Sequence, residues 1–184
     1  MRRFMWVIGL LLVAALPARA QNTPLIEVMG GYSYLRPDTS GANLSMNGWQ
    51  ASVTENLNHW FGGTAEFSGY YGNATPASGP PDINVNAQSF LFGPQFTHRK
   101  SSSFTPFAHV LVGAFRGSQG YIGISQPKTD FAAAFGGGID IKIHKKVALR
   151  IIQADYVATP FLDQRQDNIR LSAGIVLRFG EKKN

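Results

Sequence analysis

Hydrophobic and polar positions alternate with period two through most of the chain after residue 20, most cleanly between Ile169 and Gly180. Side chains of a β-strand point alternately to opposite faces. Ile169, Leu171, Ala173, Ile175, Leu177 and Phe179 therefore share one face, and Arg170, Ser172, Gly174, Val176 and Arg178 the other. A second run behaves alike. Phe131, Ala133, Phe135, Gly137, Ile139, Ile141 and Ile143 alternate with Asp130, Ala132, Ala134, Gly136, Gly138, Asp140 and Lys142. Eight stretches of this kind, rich in aromatic, β-branched and Gly residues, predict strands at Leu25 to Arg36, Asn47 to Asn58, Trp60 to Gly72, Val85 to His98, Phe104 to Gly117, Thr129 to Ile143, Val147 to Ala158 and Asn168 to Gly180.

The connections alternate as well. Three are brief: His59, Arg99 to Ser103, and His144 to Lys146. The others, Pro37 to Met46, Asn73 to Asn84, Ser118 to Lys128 and Thr159 to Asp167, are longer and rich in Pro, Gly, Ser, Asn and Asp. Short turns at one end and elaborated loops at the other predict an all-β, eight-stranded antiparallel up-and-down barrel. Bacterial outer-membrane barrels have this rhythm. Volume decides which face points out, because eight strands enclose little more than their own side chains. The Phe and Ile of these strands would overfill that space, so the oily face is expected to meet lipid, as a transmembrane β-barrel requires.

The N-terminus supports a membrane destination. Arg2 and Arg3 precede an uncharged apolar run from Phe4 to Leu16, and Ala18-Arg19-Ala20 offers a small-residue cleavage site. That order predicts a secretory signal over 1–20 and a barrel domain over 21–184. The run is too short to span ~30 Å of hydrocarbon comfortably. Cleavage would lower the formal charge from +6 to +3, since three of the 17 basic residues, Arg2, Arg3 and Arg19, fall in this segment. With no basic and aromatic interleaving in the remainder, no nucleic-acid partner is expected. The sequence has no Cys, which excludes disulfides, a thiolate site and a lipoprotein anchor.

Several segments carry a family resemblance. The step Leu171-Ser172-Ala173-Gly174 and the ending Leu177-Arg178-Phe179-Gly180 resemble the closing strand of the outer-membrane protein A transmembrane domain and its small-barrel relatives. The run from Phe61 to Tyr70, with Glu66 before Phe67, is similar to that family's third strand, and Ala148-Leu149-Arg150 to its seventh, which carries an inward Arg. The resemblance implies a monomer in the outer membrane of a Gram-negative bacterium, with short turns and both termini periplasmic. It also implies outer-membrane lipids and the barrel-insertion machinery as partners. Family chains often end on the aromatic that this machinery reads; here Phe179 is followed by five more residues.

Register gives the first candidate site. A three-residue turn at His144 to Lys146 sets Ile143 opposite Val147, Ile141 opposite Leu149 and inward Asp140 opposite inward Arg150, predicting a lumenal ion pair. Glu66, Glu27, Lys142 and Arg178 are further inward candidates, with Gln95 and His109 beside them. Three carboxylates would then face three cations. Strict alternation would point Gln153 and Asp155 at lipid, at a cost of about 2–4 kcal/mol for a charge near the midplane. A bulge at Ile151-Ile152 would turn both inward and Ala154 and Tyr156 outward. Glu55 in the second strand raises the same question. Border aromatics are expected at Trp60 and Phe179 near the short turns, and at Trp49, Tyr70 and Tyr156 near the long loops. Arg99, Lys100, Lys145, Lys146, Lys182 and Lys183 fall at the short-turn end, where they could meet anionic lipid heads.

Two uses fit such a charge network. It could gate a narrow path for water or small ions, or plug the lumen with mutually satisfied groups; the second is favoured, because a buried charge must be paired. A structural or surface-interaction role follows, with the polar loops open to a surface ligand. An enzyme is not expected. Of His59, His98, His109 and His144, only His109 lies within a strand, and no nucleophile elbow, phosphate loop or metal-ligand spacing occurs. No cofactor or metal is implied.

Overall fold

The computed structural model describes residues 23–37, 45–74, 83–99, 103–121, 124–161 and 164–181. The expected signal over 1–20, the tail from Lys182, Lys100 and most of the first two long connections lie outside these ranges. The strands are β1 (Ile26–Arg36), β2 (Met46–Asn56), β3 (Phe61–Ala74), β4 (Ile83–Thr97), β5 (Phe104–Tyr121), β6 (Ile124–His144), β7 (Val147–Phe161) and β8 (Gln164–Phe179). Each pairs antiparallel with its successor, and β1 closes on β8 from Ile26↔Phe179 to Arg36↔Ile169. The result is a closed eight-stranded barrel with no free edge to template aggregation.

The two faces divide as the alternation predicts. Along β8, Ile169, Leu171, Ile175, Leu177 and Phe179 are exposed on the outside, while Arg170, Ser172, Val176 and Arg178 are buried within. Along β6 the outward side chains from Phe131 to Ile141 form an apolar band about 24 Å tall, given ~3.4 Å per residue and a tilt near 45°. Above it the outward positions turn polar at Gln88, Arg116 and Thr129, which stand abreast on β4, β5 and β6. An exterior so continuously apolar suits hydrocarbon, not water.

Three local expectations are corrected. The long connections at Ser118 to Lys128 and Thr159 to Asp167 are largely strand: the β5–β6 ladder runs to Tyr121↔Ile124 and the β7–β8 ladder to Phe161↔Gln164. Ladder pairing has overridden the Pro and Gly punctuation there, since Pro127 and Pro160 each retain a cross-strand neighbour. The β2–β3 connection is Leu57 to Trp60, not His59 alone. Asn58 sets it, its Oδ1 accepting from the Trp60 and Phe61 amides at 2.9 and 2.8 Å. The β6–β7 turn is the pair Lys145-Lys146, with His144 opposite Val147 and Ile143 bulged out of register. That bulge restores the parity a two-residue turn would break, so Ile141↔Leu149 and Asp140↔Arg150 still face each other.

A second irregularity lies where the Ile doublet predicts it. The registers shift between Ile139/Asp140 on one side of β7 and Arg150/Gln153 on the other. Ile151 and Ile152 consequently both face outward, and Gln153 and Asp155 are buried. Gly180 then turns the chain away from the sheet with φ 66°, a conformation that costs a residue with a Cβ.

Depth in the band should govern the cost of a new charge. Phe135→Arg, at mid-band and 64 % exposed, is expected to lose about 2–4 kcal/mol of folding free energy in lipid vesicles, and Phe104→Arg beside the short turns about 0–1. Urea titration of each variant in large unilamellar vesicles measures the difference.

Candidate functional site

Among the described residues, buried charge concentrates in the lumen. Inward parity on β2, β3, β7 and β8 brings Gln50, Glu66, Gln153, Asp155 and Arg170 to one depth, all buried. Arg170 is the hub. Its guanidinium pairs with Glu66 across the barrel and donates from Nε and Nη2 to Asp155 Oδ2 at 2.8 and 2.6 Å. The other Asp155 oxygen lies 2.8 Å from His109 Nε2. Gln50 donates to Glu66 Oε2 at 2.6 Å and accepts from Ser172 Oγ at 2.6 Å. Ser172 continues to Ser33 at 2.8 Å, and Ser33 to the Tyr70 hydroxyl at 3.2 Å.

The Asp140–Arg150 ion pair joins the same network. Arg150 grips Asp140 with two bonds, Nε to Oδ1 at 2.8 Å and Nη2 to Oδ2 at 3.1 Å, a bidentate geometry that fixes both partners. Its Nη1 donates to Gln153 Oε1 at 2.7 Å, and Gln153 donates onward to Asp155 at 2.8 Å. The Arg150 guanidinium also lies 4.0 Å from the centre of the Phe107 ring. One connected set of polar contacts thus runs from β6 through β7, β8, β3 and β2 to β1, with His109 attaching β5.

Small residues on β6 make the room. Gly136 stands opposite both His109 and Asp155, and a Cβ there would overlap Asp155 Oδ1 and the Ala154 carbonyl. At Gly138 a Cβ would come within 2.9 Å of the Phe107 ring. The inward face of β6 yields its volume to side chains from β5 and β7.

A separate cluster closes the short-turn end. Glu27 Oε1 accepts from Arg178 Nε at 2.8 Å, and Arg99 from the β4–β5 connection lays Nη2 on Glu27 Oε2 at 2.6 Å and on Asn56 Oδ1 at 3.0 Å. Towards the long-loop end apolar side chains join the lining. Leu35, Met46, Tyr70, Ala87, Leu91, Leu111, Phe115, Ala132, Ala134 and Val157 belong to one buried cluster, which begins at the level of the charges, with Leu35 opposite Arg170 and Leu91 opposite Glu66, and is interspersed with the hydrogen-bonded pairs Ser68–Ser89 and Asn168–Thr159.

Glu66, Asp140, Arg150, Glu27 and Arg178 therefore all lie in the lumen, and so do Gln95 and His109. Lys142 is a correction. It shares inward parity with its partner Ala148, but two residues from the turn nothing covers it and its side chain is exposed. Arg99 is another: it folds inward onto Glu27 rather than towards lipid heads. Tyr70 is a third. It shares parity with Glu66 and Ser68 and is 1 % exposed, so Tyr71 is the outward ring at that height. Trp49, Trp60, Tyr156 and Phe179 do face outward, with Trp60 stacked on Phe96 at 5.9 Å and Trp49 tilted against Phe67 at 5.3 Å. Gln50, missing from the sequence-based set, has the parity of Ser52 and Thr54, which was the available signal.

Residues 7–179 match the family described as "Outer membrane protein beta-barrel domain". The chain belongs to that family. Among solved structures it is similar to Neisserial surface protein A, at 14% identity and TM-score 0.71 over 84% of this chain and 97% of that one. It is also similar to Ail, the attachment invasion locus protein of Yersinia pestis, at 19% and 0.57 over 83% and 97%. A third is OprG of Pseudomonas aeruginosa, at 11% and 0.53 over 89% and 99%. At such identities the likeness is one of fold. No curated protein sequence matches the chain. Its family places it with the outer-membrane barrels of Gram-negative bacteria, in contact with lipid.

Removing the hub would strand two carboxylates among buried groups. Arg170→Met is expected to cost about 3–5 kcal/mol, whereas Arg170→Met combined with Glu66→Gln and Asp155→Asn should recover most of that loss. Equilibrium unfolding in urea, followed by Trp fluorescence, compares the two variants.

Proposed function

We propose that this protein is a monomeric outer-membrane barrel whose closed lumen makes it a rigid platform, and whose work is structural or done at the cell surface by its loops. The observation that carries this is the filling of the bore by Glu27 with Arg178 and Arg99 near the short turns, and by the Arg170 network together with the apolar cluster around Leu91 and Leu111 further in. Among the described residues four carboxylates, Glu27, Glu66, Asp140 and Asp155, are matched by four guanidiniums, Arg99, Arg150, Arg170 and Arg178, and Asp130, higher on β6, pairs with Lys128, so these lumenal charges balance one another without a permeant ion. Water would have to displace paired charges and pass between the buried apolar side chains around Leu91 and Leu111.

The similar barrels support a surface role by analogy. One is a surface protein by name, and Ail is an attachment protein seen with a heparin analogue. In this reading Met1 to Ala20 is removed on export and 21–184 is delivered by the insertion machinery, with Phe179 closing the last strand. The short turns and both termini face the periplasm, and Trp49, Trp60, Tyr156 and Phe179 mark the bilayer borders. No catalytic role is assigned, since His109 is held between Asp155 and Phe107 inside the barrel.

Planar-bilayer recording tests the closed lumen. The refolded protein is expected to give no steady single-channel steps; steps that vanish in Asp140→Ala or Arg150→Ala would favour a narrow channel for water or small ions instead. Orientation has its own test. Lys145→Cys should react with an impermeant maleimide only after the outer membrane is permeabilised.

A further inference from the structure

The lipid-facing surface of this barrel is not uniform. Outward positions on β3 near the short turns are Gly63 and Ala65, and they lie between the bulkier Glu55 and Val53 on β2 and Pro94 and Phe92 on β4. A groove of about 520 Å³ results, floored by Gly63, Ala65 and Gly93 and walled by Val53, Leu57 and Phe92. Its volume falls within the ~300–1,000 Å³ of small-molecule sites. Below it the rings of Trp60, Phe61 and Phe96 close into one cluster, with centroids 5.4 to 5.9 Å apart. A Cβ built at Gly63 meets nothing within 4 Å, so the floor is open rather than filled by a neighbour.

One charge lines this groove. Glu55 is exposed and outward on β2, opposite Ile26 on β1 and Gly63 on β3, and level with the border residue Phe179. Among the residues whose side chains are described, no cation or hydrogen-bond donor is paired with its carboxylate, and it is the only outward carboxylate on a strand. Carboxylates on the lipid face are disfavoured unless they reach water or a partner. A cationic group at headgroup depth, attached to an acyl chain that fits the groove, meets both requirements.

We infer that the groove is a binding site for a phospholipid with a primary-amine headgroup, phosphatidylethanolamine, taken from the leaflet on the short-turn side. One acyl chain lies on Gly63 and Ala65 between Leu57 and Phe92, and the ammonium pairs with Glu55. The inference rests on the barrel being embedded in lipid.

Native mass spectrometry of the full chain, ejected from nanodiscs of equal phosphatidylethanolamine and phosphatidylglycerol, tests it. The wild type should retain phosphatidylethanolamine by about threefold to fivefold, the size of one exposed ion pair. Glu55→Gln should bring that ratio to near one while keeping bound lipid. Gly63→Leu, which fills open space, should release both lipids without loss of folding, checked by the heat-dependent gel shift. Equal retention by the wild type, or an unchanged ratio in Glu55→Gln, overturns the inference. So does a dimer in light scattering that Gly63→Leu dissolves, which would make the groove a contact between copies. A chain that fails to enter nanodiscs at all would instead contradict its membrane placement.

Discussion

The interaction on which the rest depends is the Arg170 bridge between Glu66 and Asp155. These groups sit on β8, β3 and β7, so the bridge crosses the barrel rather than running along its wall. Each is almost wholly buried, and burying an ion costs several kcal/mol unless geometry and further hydrogen bonds repay it. Here Gln50, Gln153 and His109 supply those bonds. The constraint then spreads outward. A circle of strands could slide in register if only backbone ladders held it, but a guanidinium gripping two walls at once allows one alignment.

That bridge needs Asp155 inside, and the chain achieves it by breaking its own alternation. Without the bulge at Ile151-Ile152, Arg150 and Asp155 would lie on opposite faces of β7 and one charge would meet lipid. With it, Arg150 serves Asp140, and Asp155 serves Arg170 and His109. β6 makes the complementary concession, keeping Gly136 where any Cβ would strike the Asp155 carboxylate. A local backbone irregularity and a missing side chain on the adjacent strand are two halves of one solution.

The outward face, the strand count and the closing order were legible in the sequence, because each follows from parity and from the rhythm of the connections. The Asp140–Arg150 partnership was legible from parity, although the turn behind it is two residues with a bulge at Ile143 and not the three residues expected. Other features were hidden for physical reasons. Arg99 lies in a connection, where parity says nothing, and only the folded rim shows that it reaches Glu27. Lys142 has the right parity but lies too near the turn for anything to cover it. Tyr70 was assigned by residue type, as a ring near a membrane border, although its parity with Glu66 already pointed inward. The hairpins beyond the membrane band were hidden because Pro and Gly mark turns only when no partner strand is present to continue the ladder.

The apolar cluster in the upper lumen was also illegible, and it changes what the charged network can do. Leu91 and Leu111 are inward on strands whose outward neighbours Phe90, Phe92, Val110 and Val112 are equally oily, so alternation of polarity vanishes there. Leu91 and Leu111 are fully buried beside and above the ion network, and the Glu27 cluster lies below it. Charge pairs shielded from water interact more strongly, and an unpaired group among them is correspondingly more costly. Groups tied together in this way stiffen the barrel wall, since moving one of them leaves a buried partner unpaired. The hairpins that rise from β5–β6 and β7–β8 are anchored to that stiff wall, and a surface-binding role needs them held in just this way.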